Sequence, residues 1–347
     1  TGTMSFIAAP EGEVRRVAAG AAGTLSLSMT PAVQGREDVL NFGNKTPARD
    51  TETVQAAFYE GRIGVDTDLS IAFNSPSTQL FGDVSNFAGY SSPFYGLEFA
   101  NAPQLSLVGQ GDGGAARYAI DSRTRVSFGF MESETDPVTN QGGDRLIQAS
   151  LTHGLSFGPV IKVGLGQTHE KAALFNSTSS GAFGAIGDSE STFVNFGASI
   201  PLTATLAAHA SYTAVQAEVL YAGDGYLSNW STIEANAFSV GLTQTDLFRA
   251  GDSVGVAIYQ PLRVSGAKAD LQIPVGTEPV PGGAIHYQSE RVDVTPSGRE
   301  IDLQFAYRWQ PTRVINAATY GVMMVNPGHN NDAKPAFGAG LRLWLDF

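Results

Sequence analysis

From about residue 124 to residue 347 the sequence alternates, apolar then polar or small, in one segment after another. In "TRVSFGF", Val126, Phe128 and Phe130 fall on one face, and Arg125, Ser127 and Gly129 on the other. Ile161, Val163 and Leu165 oppose Lys162, Gly164 and Gly166. Val194, Phe196 and Ile200 oppose Asn195, Gly197 and Ser199; Phe238, Val240 and Leu242 oppose Ser239, Gly241 and Thr243. Ala269, Leu271 and Ile273 oppose Lys268, Asp270 and Gln272, and Ile301, Leu303, Phe305 and Tyr307 oppose Asp302, Gln304 and Arg308. A period of two is the period of a strand, and a helix would need 3.6. The chain is therefore expected to be all-β.

Two architectures fit such strands. A soluble sheet keeps one face on a core and one in water. A membrane barrel puts its apolar face in lipid and its polar face around a lumen. The polar faces here mix charge with many Gly and Ser residues, as a crowded lumen requires. The segments are long for a soluble sheet and suit a tilted bilayer crossing. Twelve of them follow residue 124: 124–133, 145–155, 159–169, 190–200, 203–217, 230–247, 252–264, 267–276, 284–294, 298–310, 312–326 and 334–347. The gaps alternate between short and long, the rhythm of periplasmic turns and external loops. The expectation is an antiparallel transmembrane outer-membrane β-barrel of about twelve strands, fourteen at most, spanning 102–347 and sited in the outer membrane of a Gram-negative bacterium.

Composition narrows the chemistry. The chain has 33 Asp and Glu against 21 Lys and Arg, which disfavours nucleic acid as a partner. It has no cysteine, so no thiolate chemistry is available. No apolar run reaches the length of a membrane helix, and no leader pattern precedes Thr1. On that basis Thr1 is expected to be an internal residue of a longer precursor.

The segment "AFGAGLRLWLDF" places Phe337, Leu341, Leu343, Leu345 and Phe347 on one face, with an aromatic residue last. Leu341, Leu343, Leu345 and Phe347 are the expected insertion signal, read by the barrel assembly machinery, with outer-membrane lipid as the other partner.

Residues 1–101 are expected to be a pre-barrel linker, a hairpin and a lumen plug. "EGEVRRVAAGAAG" reads as a short helix weakened by glycine. Residues 54–74 read as a hairpin, and 104–109 and 116–120 as extra strands. The aromatic, Gly/Pro/Ser-rich stretch 86–104 has no period and is a candidate for threading the lumen. "TGTMSFIAAP" looks like the serine-bearing stretch of a subtilisin, but Met4 separates Thr3 from Ser5, and Pro10 lies one residue too far. A triad would also need its Asp and His ahead of it. Ser5 is not expected to be a nucleophile.

No catalytic, cofactor or metal site is expected. His153, His169, His209, His286 and His329 form no zinc-binding spacing. The Asp- and Gly-rich stretches 65–70 and 109–114 lack the further ligands of a calcium loop and read as turns. Asp188, Asp224 and His329 lie on expected loops and are the one combination that could serve a barrel hydrolase. Arg125, Lys162, Asp270, Asp302, Arg308 and Arg342 are expected lumen charges, pairing with one another across the barrel.

Three stretches, 247–276, 293–309 and 327–347, resemble the C-terminal region of Gram-negative subtilisin-like serine peptidases that end in an autotransporter-like β-barrel. The resemblance implies a translocator barrel whose partner is its own upstream passenger domain, with any catalytic residues in that passenger and none in this chain. The alternatives are a stand-alone porin or surface scaffold, with 134–144, 170–189 and 218–229 as contact loops, and the hydrolase.

Overall fold

The computed structural model describes residues 13–18, 23–31, 52–81, 94, 101–133, 143–179, 181–220, 225–279, 283–312 and 315–345. Among the described residues fifteen strands form one antiparallel sheet: β1 (Glu13–Ala18), β2 (Gly23–Pro31), β3 (Glu52–Ile63), β4 (Thr67–Pro76), β5 (Gln110–Ala119), β6 (Thr124–Ser133), β7 (Arg145–Gly154), β8 (Val160–Glu170), β9 (Ser189–Pro201), β10 (Leu206–Val219), β12 (Ile233–Thr245), β13 (Ser253–Gly266), β16 (Ile301–Trp309), β17 (Ile315–Val325) and β18 (Ala336–Leu345). A second sheet joins β11 (Leu227–Ser228), β14 (Lys268–Thr277) and β15 (Ile285–Asp293). Helices α1 (Ser77–Leu80) and α2 (Gln104–Val108) lie in the β4–β5 connection.

All twelve segments read from the alternation after residue 124 are strands, but two of them leave the wall. β14 and β15 form a hairpin between β13 and β16, which pair directly with each other. Alternation locates a strand without naming its neighbour, so a hairpin in an outer sheet carries the same signature. The wall also begins before residue 102. β1 to β4 pair in sequence and hand on to β5, which raises the count above fourteen. "EVRRVA" is a strand, because its pairing with β2 overrides a local preference that was weak in either direction. The hairpin read at 54–74 is β3–β4, turning at Gly64 with φ of 71°. "QLSLV" is α2, not a strand.

Burial is inverted relative to a soluble sheet. On β6, Phe128 and Phe130 are each 56% exposed, while Ser127, directly before Phe128, is 7% exposed. Ile161, Val163 and Leu165 on β8 are exposed and Lys162 is buried; Val240 and Leu242 on β12 are exposed, and Ser239 and Thr243 are buried. Large exposed apolar surface around a polar interior requires an apolar solvent outside. The connections are short at one rim, as at 120–123, 155–159 and 202–205. They are long at the other, as at 77–109, 171–188 and 267–300. The long rim is the external one by the usual asymmetry of outer-membrane barrels.

Candidate pore constriction

The described residues of the β4–β5 connection, 77–81, 94 and 101–109, do not stay at the rim; they pack on the inner face of the wall. Leu80, Phe81, Ala102, Leu105 and Val108 pack against the inward Ala72, Ala115, Met131 and Leu146 of β4 to β7. Leu107 packs further round, on Phe193 of β9, Val215 of β10 and Ala235 of β12. Phe94 reaches the other side, against Ala257 of β13 and Ala306 of β16, with Tyr259 and Tyr320 beside it. One connection touching strands from β4 to β17 requires that the sheet curl around it.

The inward glycines make room for this packing. A Cβ on Gly129 would lie 2.6 Å from Phe81 Cε1 and 2.9 Å from both Ala115 Cβ and the Gly114 carbonyl oxygen. On Gly113 it would lie 2.9 Å from Leu80 Cδ2. The small residues that alternation placed on the lumen side are small because another part of the chain lies on them.

Each large apolar side chain buried contributes roughly 1.5–3 kcal/mol, and each residue ordered costs roughly 1–2 kcal/mol in backbone entropy. Hydrogen bonds add to the apolar anchors among the described residues. Ser77 N–H donates to the Gly109 carbonyl at 2.8 Å, and Ser77 Oγ to the Leu105 carbonyl at 2.6 Å, drawing the two ends of the connection together. Arg117 donates to Ser70 Oγ at 2.7 Å and to the Leu80 carbonyl at 2.8 Å, tying α1 to β4 and β5. Gln104 Nε2 donates to Gln148 Oε1 and Asn195 Oδ1, both at 2.9 Å. Asn195 Nδ2 donates in turn to Thr213 Oγ1 at 2.7 Å. Asn101 Oδ1 accepts from Ser211 Oγ at 2.7 Å and Ser239 Oγ at 2.6 Å. This network crosses β7, β9, β10 and β12 with amides and hydroxyls alone.

The expected lumen charges divide. Lys162 and Asp302 are buried on the inner face of β8 and β16. Lys162 joins Asn101, Gly164, Asn195, Gly197 and Ser211 in lining a small pocket against the connection. Arg308 and Arg342 lie on β16 and β18, and Arg125 is exposed near the short-turn end of β6. Asp270 is not a lumen residue; it sits on β14 of the second sheet and pairs with Arg291 at 3.0 Å.

Of the hydrolase combination, the described Asp188 and His329 are engaged with different partners. His169 on β8 lies 3.7 Å from Asp188. His329 is engaged elsewhere, its Nδ1 accepting from the Glu300 N–H at 2.9 Å and its Nε2 lying 3.0 Å from the Leu262 carbonyl. Asp224 lies outside the described residues. Among the described residues no three His, Asp or Glu side chains converge as a metal site. His153 bonds Thr124 Oγ1 at 2.9 Å, and His209 is buried in the lumen wall. On the C-terminal strand Leu341 and Leu343 face outward and are 65% and 64% exposed, and Leu345 ends β18 opposite Ile315. Phe347 lies outside the described residues.

A wall with lipid-facing apolar residues, a polar interior and its own chain folded across the lumen defines an outer-membrane diffusion channel. Residues 150–347, more than half of the chain, match the carbohydrate-selective porin, OprB family, and the chain belongs to that family. Solved structures share the fold. The in-vitro folded, trimer form of OmpT from Vibrio cholerae aligns over 96% of this chain and 89% of that one, at 12% identity and a TM-score of 0.54. The OmpT variant lacking loop L8 aligns over 96% and 88%, at 12% identity and a TM-score of 0.53. No curated protein matches the chain. The protein resides in the outer membrane of a Gram-negative bacterium.

These findings overturn the likeness to subtilisin-like peptidases and, with it, the translocator function and the passenger partner. The stretches that carried the likeness, 247–276, 293–309 and 327–347, fall in β13, β14, β16 and β18. What they share with an autotransporter barrel is the alternation and end signature of membrane strands in general. The stand-alone porin, set out as the alternative, is the reading the family supports.

Proposed function

We propose that the chain is an uptake porin for small neutral sugars, with the β4–β5 connection as its selectivity-determining constriction and no catalytic activity of its own. The observation that carries this is the chemistry of the constriction: Asn101, Gln104, Gln148, Asn195, Ser211, Thr213 and Ser239 form a neutral, hydrogen-bonding network, with the Lys162 ammonium beside it. A polyhydroxylated solute that sheds water in a narrow passage needs matching donors and acceptors there, while an ion would need compensating charge. Ser150, Thr168, Ser191, Ser199 and Thr243 add buried inward hydroxyls without a protein partner among the described residues. Membership of a carbohydrate-selective porin family supports the same solute class.

The test is solute flux into liposomes carrying the purified protein. Glucose should enter faster than gluconate or glucosamine, which have similar size and opposite charges. Equal rates for all three, or a preference for either charged solute, would refute the reading.

Leu341, Leu343, Leu345 and Phe347 are proposed as the signal recognised by the barrel assembly machinery. The outward exposure of Leu341 and Leu343 on the last strand supports this. Removing Phe347 should lower the amount of heat-modifiable protein in the outer membrane several-fold, while refolding in detergent stays unchanged. Loss in both settings would assign Phe347 to stability instead.

A further inference from the structure

We propose that the outer sheet of β11, β14 and β15 is a binding platform for oligosaccharides above the pore mouth, resting on the reading of the barrel as a sugar porin. The sheet is an insertion. β13 and β16 are neighbours in the wall, yet the chain between them leaves as the β14–β15 hairpin and takes up β11 from the β10–β12 connection. Its base is fixed to the external rim by apolar packing of Ala267 with Leu174, Ile186, Ala217 and Ile233, joined by Trp230 and Val294.

Register divides the sheet into unlike faces. Leu227 pairs with Leu271, Ala269 with Val292, Leu271 with Glu290 and Ile273 with Gln288, on one face. Ser228 pairs with Asp270, Asp270 with Arg291, Gln272 with Ser289 and Pro274 with Tyr287 on the other. Gln272 N–H donates to the Tyr226 carbonyl at 2.7 Å, which sets Tyr226 beside Gln272, and the Tyr226 and Tyr287 rings meet with centroids 5.8 Å apart at 39°. Two tilted aromatic rings thus stand at one end of this face.

At the other end is a set of planar polar groups already held in place. Asp270 Oδ2 accepts from Asn229 Nδ2 at 2.7 Å, and Asp270 Oδ1 from Arg291 Nη1 at 3.0 Å. Arg291 Nη1 also donates to the Asn229 carbonyl. A carboxylate, an amide and a guanidinium held together by hydrogen bonds offer the paired donors and acceptors that vicinal hydroxyls require. An exposed aromatic ring offers an apolar surface to the C–H face of a pyranose. Tyr287 and Arg291 are four residues apart on one strand, about 13 Å at the usual rise. That span exceeds one sugar ring, so the ligand class is an oligosaccharide of several units. The platform lies at the rim from which solute would enter, where it would hold a chain near the lumen.

The test is calorimetric titration of the detergent-solubilised protein with maltohexaose and with cellohexaose, using glucose for comparison. At least one hexasaccharide should bind ten-fold or more tightly than glucose. Tyr287→Ala and Asp270→Ala should each weaken that binding at least five-fold, whereas Tyr287→Phe, which keeps the ring, should stay within two-fold of the parent. Glucose flux into liposomes should be unchanged in all three. Failure of both hexasaccharides to bind more tightly than glucose, or equal binding by Tyr287→Ala and Tyr287→Phe, would overturn the platform. Normal glucose flux alongside that failure would leave the porin reading intact; absent glucose flux with retained hexasaccharide binding would strike the porin reading alone.

Discussion

At the scale of single residues, Gly129 shows how closely the wall and the inserted connection are fitted. An added Cβ meets a side chain, Phe81, that can shift, and a backbone oxygen, of Gly114, that cannot. Gly129→Ala should therefore destabilise the detergent-solubilised protein by about 1–3 kcal/mol, as overpacking does, and lower its unfolding midpoint. Gly276→Ala is the comparison, since nothing lies within 4 Å of a Cβ there. It should leave the midpoint in place; equal effects from both would mean that the connection does not press on Gly129. Alternation made the lumen side of Gly129, Gly164 and Gly166 legible, and the need for space there was a sound inference. What fills the space was not legible. Phe94, Asn101 and Gln104 belong to a stretch with neither a strand nor a helix period, and their partners lie as far as 138 residues away along the chain, as between Asn101 and Ser239.

At the scale of elements, the external connections are fastened by specific polar contacts. The β17–β18 connection is held to the β15–β16 connection, where Gly328 N–H donates to Glu300 Oε2 at 2.6 Å and Asn331 Nδ2 to the Ser297 carbonyl. His329 sits at the centre and works only as a neutral ring, because Nδ1 must accept from the Glu300 N–H. Burial holds its pKa below the ordinary 6.5, outweighing the opposite pull of the Leu262 carbonyl and the Glu300 charge, while Arg263 and Arg299 push the same way as burial. A group with a depressed folded pKa that is neutral when deprotonated contributes fully above the unfolded value. That contribution is lost as pH falls from about 6.5 toward the lower folded value. Amide protection at Glu300 and Gly328 should therefore fall at about pH 5 relative to pH 8, after correction for intrinsic exchange. His329→Gln should remove most of that dependence. Constant protection in the parent protein would show that the ring does not fasten the connection. The sequence placed His329 on a loop but could not tell a fastening from a catalytic role, since the choice depends on Leu262 of β13 and Glu300 of the β15–β16 connection being brought to it. β14 and β15 failed to reveal their sheet for the same reason: Ala269, Leu271 and Ile273 alternate as a wall strand would.

At the scale of the whole molecule, the decisive property is which face of the wall meets lipid. The same alternation that fixes it also makes neighbouring residues respond in opposite ways to charge. Phe128 lies mid-strand on the outside of β6, so Phe128→Arg would place a guanidinium in hydrocarbon at a cost of about 2–4 kcal/mol. The amount of folded protein recovered from the outer membrane should drop accordingly. Lys162 lies on the inside of β8, beside Asn101 and Ser211 of the constriction. Lys162→Met removes a positive charge while keeping most of the side-chain volume, and lumen substitutions change selectivity more than insertion. Its signature should be a reversal potential displaced toward cations in a salt gradient, with normal recovery from the membrane and little change in glucose flux. The pair tests orientation and function together. If Phe128→Arg assembles as well as the parent, the apolar face is not in lipid. If Lys162→Met leaves the reversal potential fixed, permeating ions do not pass the face on which the amides and hydroxyls of the constriction are mounted.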